Sequence, residues 1–378
     1  MEPLLHDLPI EQLNVRALRV PTSRPEADGT LRWEHTTMVL VTVQAAGVTG
    51  LGYTYSHPSI AGLIRDSLRP LVHGQPAMAL EAVWDRLRRQ IRNLGPGGLA
   101  SQAVSAVDAA LWDLKARLLG VPLALLLGGC RRAALVYGSG GFTSYPLEVL
   151  REQLAGWVHE HGIGRVKMKI GLGPAKDLAR VAAAREAIGP DVALMVDANG
   201  AYERKQALAL ARGLAEYDVC WFEEPVSSED LEGLRLLRDR VPPEMTVAAG
   251  EYGYDPVYFR RMLEAGAVDV LQADVTRCLG ITGFARVVHL AEGYGIRVSP
   301  HTAPAQQASL ACALANIAPL EYFHDHARIE QMLFTHVPAL VDGALRIDPR
   351  MAGHGLTLDA TAAAPYEVDA HGRRVGPS

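Results

Sequence analysis

Charged residues close a series of otherwise apolar runs in the second half of this chain: Lys167 and Lys169 in VKMKIG, Asp197 in LMVDANG, Glu223 in WFEEP, Glu251 in AAGEY, Asp274 in LQADVTR, His301 in VSPHTAP and Glu321 in LEYF. Asp197, Glu223 and Glu251 end consecutive runs, so neighbouring strands would bring their carboxylates to one point. There they would repel unless a cation neutralised them. A ligand set of oxygen alone, without His or Cys, suits Mg²⁺, or else Mn²⁺, with open positions for water or substrate. Lys167 and Lys169 alternate with Val166, Met168 and Ile170, so period-two geometry turns both amines to one face. One can act as a base and the other as its neutralising partner, because an adjacent positive charge lowers an amine's pKa. Asp274 and His301 end two further consecutive runs. That carboxylate could take the imidazole N–H, fixing the tautomer and raising basicity, which supplies a second acid/base opposite the lysines. Each residue alone has a plainer reading, as a solvated group at a strand end or a structural histidine. The chemistry rests on the set standing in register. His57, His73, His159, His161, His324, His326 and His336 have no comparable setting and are assigned no role.

The elements that must position these groups follow from periodicity. From Ala133 to about residue 335, short apolar strands alternate with amphipathic helices at a step of roughly 20–30 residues, which suits βαβ units around a parallel sheet. Expected strands are Arg165–Ile170, Ala193–Asp197, Cys220–Glu223, Thr246–Ala249, Val268–Gln272 and Arg297–Ser299; expected helices include Ala175–Ile188, Arg204–Glu216 and Asp230–Arg240. Charged residues at C-terminal strand ends mark the active-site face of an α/β barrel. Periodicity alone also leaves a doubly wound sheet open. Ahead of this region, Asn14–Val20 and Thr37–Ala45 read as a hairpin with a long tip from Pro21 to Trp33, and helices are expected over Glu81–Arg92 and Ser101–Leu119. The expected organisation is an α+β capping domain over 1–130, a (β/α)₈-type TIM barrel over 131–337, and a 338–378 segment that returns to the capping domain. Short strands at Leu340–Gly343 and Leu345–Asp348 belong to that segment, and the stretch from His371 is expected to be loose.

Composition limits the alternatives. Of 378 residues, 49% are hydrophobic and 21% charged, which describes a globular chain able to bury a large core. A formal net charge of −5, spread over mixed-sign segments, offers no basic field for nucleic acid phosphates. Cys130, Cys220, Cys278 and Cys312 lie far apart, which fits reduced thiols in a cytoplasmic protein. Acidic residues interrupt the apolar stretches of MEPLLHDLPIEQLNV, so neither a signal peptide nor a membrane span is expected. GSGGF at Gly138–Phe142 lacks the spacing of a phosphate-cradling fingerprint; with Thr143–Pro146 it more plausibly lines the mouth after the first barrel strand.

KMK, DAN, FEEP, GE, the D-x-x-R-x-x-G-I-T run from Asp274 to Thr282, and PHTAP occur in the order and spacing of the mandelate racemase subgroup of the enolase superfamily, which the chain closely resembles over essentially its whole length. As a general rule for that superfamily rather than an inference from these residues, its sites use a Lys or His base with Mg²⁺. The resemblance implies Asp197, Glu223 and Glu251 as Mg²⁺ ligands, Lys169 as base on one face, and Lys167 holding the substrate carboxylate. It implies His301 with Asp274 as acid/base on the other face, Glu321 as a donor to the developing enediolate, and Asn199 beside the metal and substrate. Leu279 departs from the pattern, standing where a glycine is frequent, and a small change in that loop is expected. Abstraction of the proton next to a substrate carboxylate leads most directly to dehydration of a sugar acid, an aldonate or aldarate, to a 2-keto-3-deoxy acid. Racemisation or epimerisation of a 2-hydroxy acid is the second reading, and a silent sugar-acid-binding scaffold the third. Capping-domain loops should set substrate identity, with Trp33, Tyr53 and Tyr55 as candidate contacts or, equally, packing residues. A homo-oligomer is expected from the resemblance.

Overall fold

The computed structural model describes residues 8–375. The first residues of the MEPLLHDLPIEQLNV segment, and the last ones of the tail, lie outside them.

Three antiparallel strands, β1 (Gln12–Ala27), β2 (Arg32–Ala45) and β3 (Val48–Tyr55), open the chain. The long tip expected from Pro21 to Trp33 is instead mostly strand. Glu26 pairs with Trp33 and Ala27 with Arg32 beyond a register shift between Pro21 and Glu26. That irregularity absorbs prolines, which cannot donate to a ladder, and the turn shrinks to Asp28–Leu31. Asp28 Oδ1 closes it by accepting from the Thr30 and Leu31 amides at 2.6 and 2.7 Å. Helices Leu80–Gln90 and Leu99–Leu118 pack on one face, burying Val83, Trp84, Leu87, Val104 and Val107 against Val39, Val41 and Val43. The second starts two residues before the expected Ser101, whose hydroxyl donates back to the Gly98 carbonyl.

The remaining core is an α/β barrel. Its strands are β4 (Ala133–Gly140), β5 (Arg165–Lys169), β6 (Ala193–Asp197), β7 (Val219–Glu223), β8 (Thr246–Ala249), β9 (Val270–Ala273), β10 (Arg297–Pro300) and β11 (Leu320–Phe323). They run parallel in sequence order from β4 to β10, and β11 pairs with the free side of β4. Between β10 and β11 the seam carries an isolated parallel bridge, Val298 to Ile317, rather than a ladder. Helices between the strands cover the outside, where Val166, Met168, Leu194, Val196, Phe222 and Val247 join the main core. The alternate residues Tyr137, Met195, Trp221 and Ala248 fill the interior. Period-two alternation thus sends aliphatic residues outward to the helices and leaves Lys167, Lys169 and Asp197 pointing inward.

After the last barrel helix, β12 (Phe334–Thr335) pairs with β15 (Thr357–Leu358). The hairpin β13 (Ala339–Val341) and β14 (Ala344–Arg346) was expected on the capping domain; it joins the barrel, with β14 antiparallel to residues 133–135 of β4. Its reason is that β4 begins before its barrel partners do: β11 pairs from Val136 and β5 from Gly138, leaving an uncovered edge. Further on, β16 (Glu367–Val368) pairs with the outer edge of β1, and Leu356 and Ala363 pack with Leu18, Val20 and Met38 of the capping sheet. The stretch from His371 is not loose as far as Val375. Asp369 Oδ1 accepts from the His371 and Arg373 amides, and Arg19 donates to the Gly372 carbonyl at 3.0 Å. All four cysteines are free thiols, and among the described residues no helix is long and apolar enough to cross a membrane.

Candidate active site

Strand alternation and a common strand-end level bring the charged series together at the C-terminal face of the barrel. Asp197, Glu223 and Glu251, from the ends of β6, β7 and β8, each offer an oxygen within 4.8 Å of the others, and all are buried. Asp197 Oδ1 also accepts from the Asn199 amide at 2.9 Å, an arrangement that needs Asn199 in the left-handed region at φ 46°. Glu223 Oε2 accepts from the Trp221 indole at 2.9 Å. Lys167 is fully buried; its ammonium contacts Glu223 and lies 2.9 Å from Glu321 and 3.8 Å from Asp197. Lys169 is paired with Asp197. Across the mouth, His301 Nδ1 lies 2.9 Å from Asp274, and its Nε2 lies 3.1 Å from Glu251 and 3.5 Å from Glu321. Asp274 accepts from the Thr276 amide at 2.7 Å, so the carboxylate that orients the imidazole is itself fixed.

These groups fit a bound divalent cation. Glu224 Oε1, next to the triad residue Glu223 in sequence, is buried without a hydrogen-bond partner, and the triad's ligand atoms are oxygen only. Burial and then Asp197 push the Glu223 carboxyl up to about 8 against the pull of Lys167, the behaviour of a site with surplus negative charge. Burial alone would raise Glu321, but Lys167 and His301 hold it down to about 2. Glu321 takes the Thr302 amide at 3.1 Å and lies 2.9 Å from Lys167, which sets it beside the triad where the resemblance implies a donor to the enediolate. Burial acts to lower His301, yet Glu251, Glu321 and the Asp274 hydrogen bond lift it to about 10. Lys169 is likewise raised, with burial and Lys167 opposed by Asp197.

Several groups here escaped sequence reasoning. Arg277 donates to the Glu251 carbonyl at 3.0 Å and lies 3.4 Å from Asp274, a neighbour that the i, i+3 spacing could have revealed. Gln272 alternates with Asp274 along β9, and both of its buried amide atoms lack partners. Glu26 and His326 carried no local signal. Trp33 donates from Nε1 to Glu26 at 2.9 Å and stands edge-on to Phe142. Tyr53 and Tyr55 are not brought to the carboxylates. The Tyr53 hydroxyl bonds Glu330, and Tyr55 stacks on His326, so both pack between the capping sheet and the last barrel helix. Leu279 sits in the left-handed region at φ 68°, its carbonyl taking the Trp84 indole and its side chain buried in the capping core.

An eight-stranded α/β barrel with a carboxylate triad at its strand ends, a lysine pair on one side and a carboxylate-held histidine on the other defines a metal-dependent enzyme of proton transfer next to a carboxylate. Residues 149–362 match the Enolase C-terminal domain-like family and residues 13–128 the Mandelate racemase / muconate lactonizing enzyme, N-terminal domain family. The chain belongs to the enolase superfamily, in its mandelate racemase subgroup. It is 33% identical to L-talarate/galactarate dehydratase of Salmonella typhimurium over 322 residues, covering 84% of this chain and 79% of that one. A mandelate racemase/muconate lactonizing enzyme-like protein from Rubrobacter xylanophilus superposes with a TM-score of 0.93 at 52% identity, over 95% of this chain and all of that one. A racemase from Streptomyces coelicolor A3(2) with bound magnesium gives 0.87 at 31% identity, again over 95% of this chain and 100% of its own.

Proposed function

We propose that this chain removes the proton next to the carboxylate of a sugar acid and then expels the β-hydroxyl as water, leaving an enol that ketonises to a 2-keto-3-deoxy acid. The observation that carries this reading is a proton carrier on each side of the carboxylate triad, Lys169 against Asp197 and His301 against Glu251. Asp197, Glu223 and Glu251 would hold Mg²⁺, which when bound neutralises the charge that grows on the substrate carboxylate as the α-proton leaves. Lys167, buried and cationic, would face the same carboxylate and stabilise the enediolate from a second direction. With the triad's charge taken up by Mg²⁺, Asp197 and Glu251 would no longer hold Lys169 and His301 protonated, so one of the two can take the α-proton while the other, still protonated, returns one to the leaving hydroxyl, and the proton count balances with loss of one water. Asp274 keeps His301 in one tautomer throughout. Asn199 would support the triad through its amide on Asp197.

The Salmonella relative, named for the dehydration of two sugar diacids, supports the dehydratase reading, and the Streptomyces relative, named a racemase, supports the second. Reprotonation on the opposite face would give racemisation or epimerisation with the same residues. The presence of every expected ligand and both proton carriers argues against a silent scaffold. The deciding experiment is α-proton exchange by NMR in D₂O with Mg²⁺ over a sugar-acid library, for the wild type, Lys169→Ala and His301→Asn. Dehydration predicts a 2-keto-3-deoxy product that both variants fail to form at the wild-type rate. Exchange without product would move the assignment to the racemase; no exchange with any acid would defeat both.

A further inference from the structure

The turn after β9 carries a guanidinium that reaches both carboxylates touching His301. Asp274 opens this turn: its carbonyl accepts the Arg277 and Cys278 amides at 2.9 Å, and its Oδ1 accepts the Thr276 amide. The capping sheet holds the turn down, since Thr54 of β3 donates to the Thr276 carbonyl at 2.7 Å. Arg277 then extends across to the end of β8. Its Nη1 donates to the Glu251 carbonyl at 3.0 Å and lies 3.4 Å from Glu251 Oε1, while its Nε lies 3.4 Å from Asp274 Oδ2. The Tyr252 ring covers the guanidinium, 5.1 Å from its centroid. His301 stands on the other side of the same two carboxylates, with Nδ1 2.9 Å from Asp274 Oδ2 and Nε2 3.1 Å from Glu251 Oε2. The four side chains close a ring in which base and acid alternate: Arg277, Asp274, His301, Glu251. Lys169 stands outside that ring, paired with Asp197.

Resting on the proton-transfer reading, we propose that Arg277 is the positioning residue for the His301 face: by bracing Asp274 and Glu251 it aims the imidazole at one face of the substrate and leaves proton transfer on the Lys169 face to other groups. With Glu251 engaged in the triad, His301 relies on Asp274 for its orientation, so whatever fixes Asp274 fixes the base. The Thr276 amide holds Oδ1, and the Thr302 hydroxyl lies 3.2 Å from Oδ2. To these neutral donors Arg277 adds a permanent positive charge, since a guanidinium does not lose its proton in proteins. Its planar fork also spans both carboxylates at once, where a lysine ammonium would act as a single point charge.

The test compares Arg277→Met and Arg277→Lys with His301→Asn and Lys169→Ala in the full-length Mg²⁺-loaded protein. Sugar acids epimeric at C2, such as D-gluconate and D-mannonate, present the α-proton on opposite faces once the carboxylate is held, and exchange in D₂O is followed for each. Arg277→Met should reproduce the pattern of His301→Asn across the acids, with a loss of about ten- to a hundredfold, the scale of removing the partner that orients a functional group. Arg277→Lys should recover part of that loss. Mg²⁺ affinity and thermal unfolding should stay near the wild-type values. A second readout needs no substrate: the downfield proton resonance of the His301 Nδ1–H, assigned by its absence in His301→Asn, should shift or broaden in Arg277→Met. Exchange lost equally on both faces, or in step with Mg²⁺ affinity, overturns the assignment, because Arg277 would then act through the metal ligand alone. So does a resonance that Arg277→Met leaves unmoved. If the wild type exchanges no acid, the proton-transfer reading falls, and the resonance alone decides whether Arg277 positions His301.

Discussion

Two histidines on neighbouring elements show how setting decides chemistry. Carboxylates surround His301 and raise it to about 10, whereas burial lowers His326 to about 3. His326 stacks on Tyr55 and accepts the Ala303 amide on Nδ1, so it must be neutral in the fold. Its folded pKa lies below the unfolded value of 6.5, so the stability it contributes is present above pH 6.5 and is lost as pH falls from there toward 3. The loss is at most about 1.4 kcal/mol per pH unit. Urea unfolding at pH 7 and pH 5 should therefore cost the wild type more stability than His326→Gln; equal losses would mean that the ring is protonated within the fold. For His301 the partner matters most. Asp274→Asn should reduce kcat about ten- to a hundredfold while leaving Mg²⁺ affinity near the wild-type value, as measured by steady-state rates and titration of the metal. The strand-end charges were legible because alternation along one strand fixes where each side chain points. Glu26 and His326 were not, since their partners Asp325, Trp33 and Tyr55 stand on other elements and only tertiary packing assembles them.

Among the elements, the barrel strands were readable to within a residue or two because apolar runs between turn residues have few other solutions. The hairpin tip was not, because Pro21 and Pro25 mimic a loop while the strands continue through a bulge. What the tip does can be measured. Gly29→Ala puts a methyl group into the carbonyls of Ile170 and Ala198, so the turn must lift. Because that turn closes over the residues that follow Lys169 and Asp197, kcat/KM should drop by about ten- to a hundredfold, the scale of an ångström misplacement, without weakening the metal site. Leu279 tests the other junction. Replacing it by glycine relieves a left-handed leucine, worth about 1–2 kcal/mol, but removes a buried side chain worth more. Leu279→Gly should be less stable by about 1–3 kcal/mol in denaturant titrations. A gain in stability would mean that the strain exceeds the packing it accompanies.

For the whole molecule, the metal ligands tie together the ends of β6, β7 and β8, so ion binding should register as global stability. At free Mg²⁺ about a hundredfold above its Kd the gain is about 2.7 kcal/mol, and the unfolding midpoint should rise on adding Mg²⁺ and fall with EDTA. Asp197→Ala should abolish that dependence. The pairing of β16 with β1 has a different consequence, one of timing. Arg16 and Glu367, an ion pair on those strands, are 351 residues apart in sequence. At translation rates of about 5–20 residues per second, β1 waits roughly 20–70 s on the ribosome before its outer neighbour exists. Throughout that interval β1 presents an open edge to other nascent chains, so the window for misassembly along that edge closes only when β16 has been made.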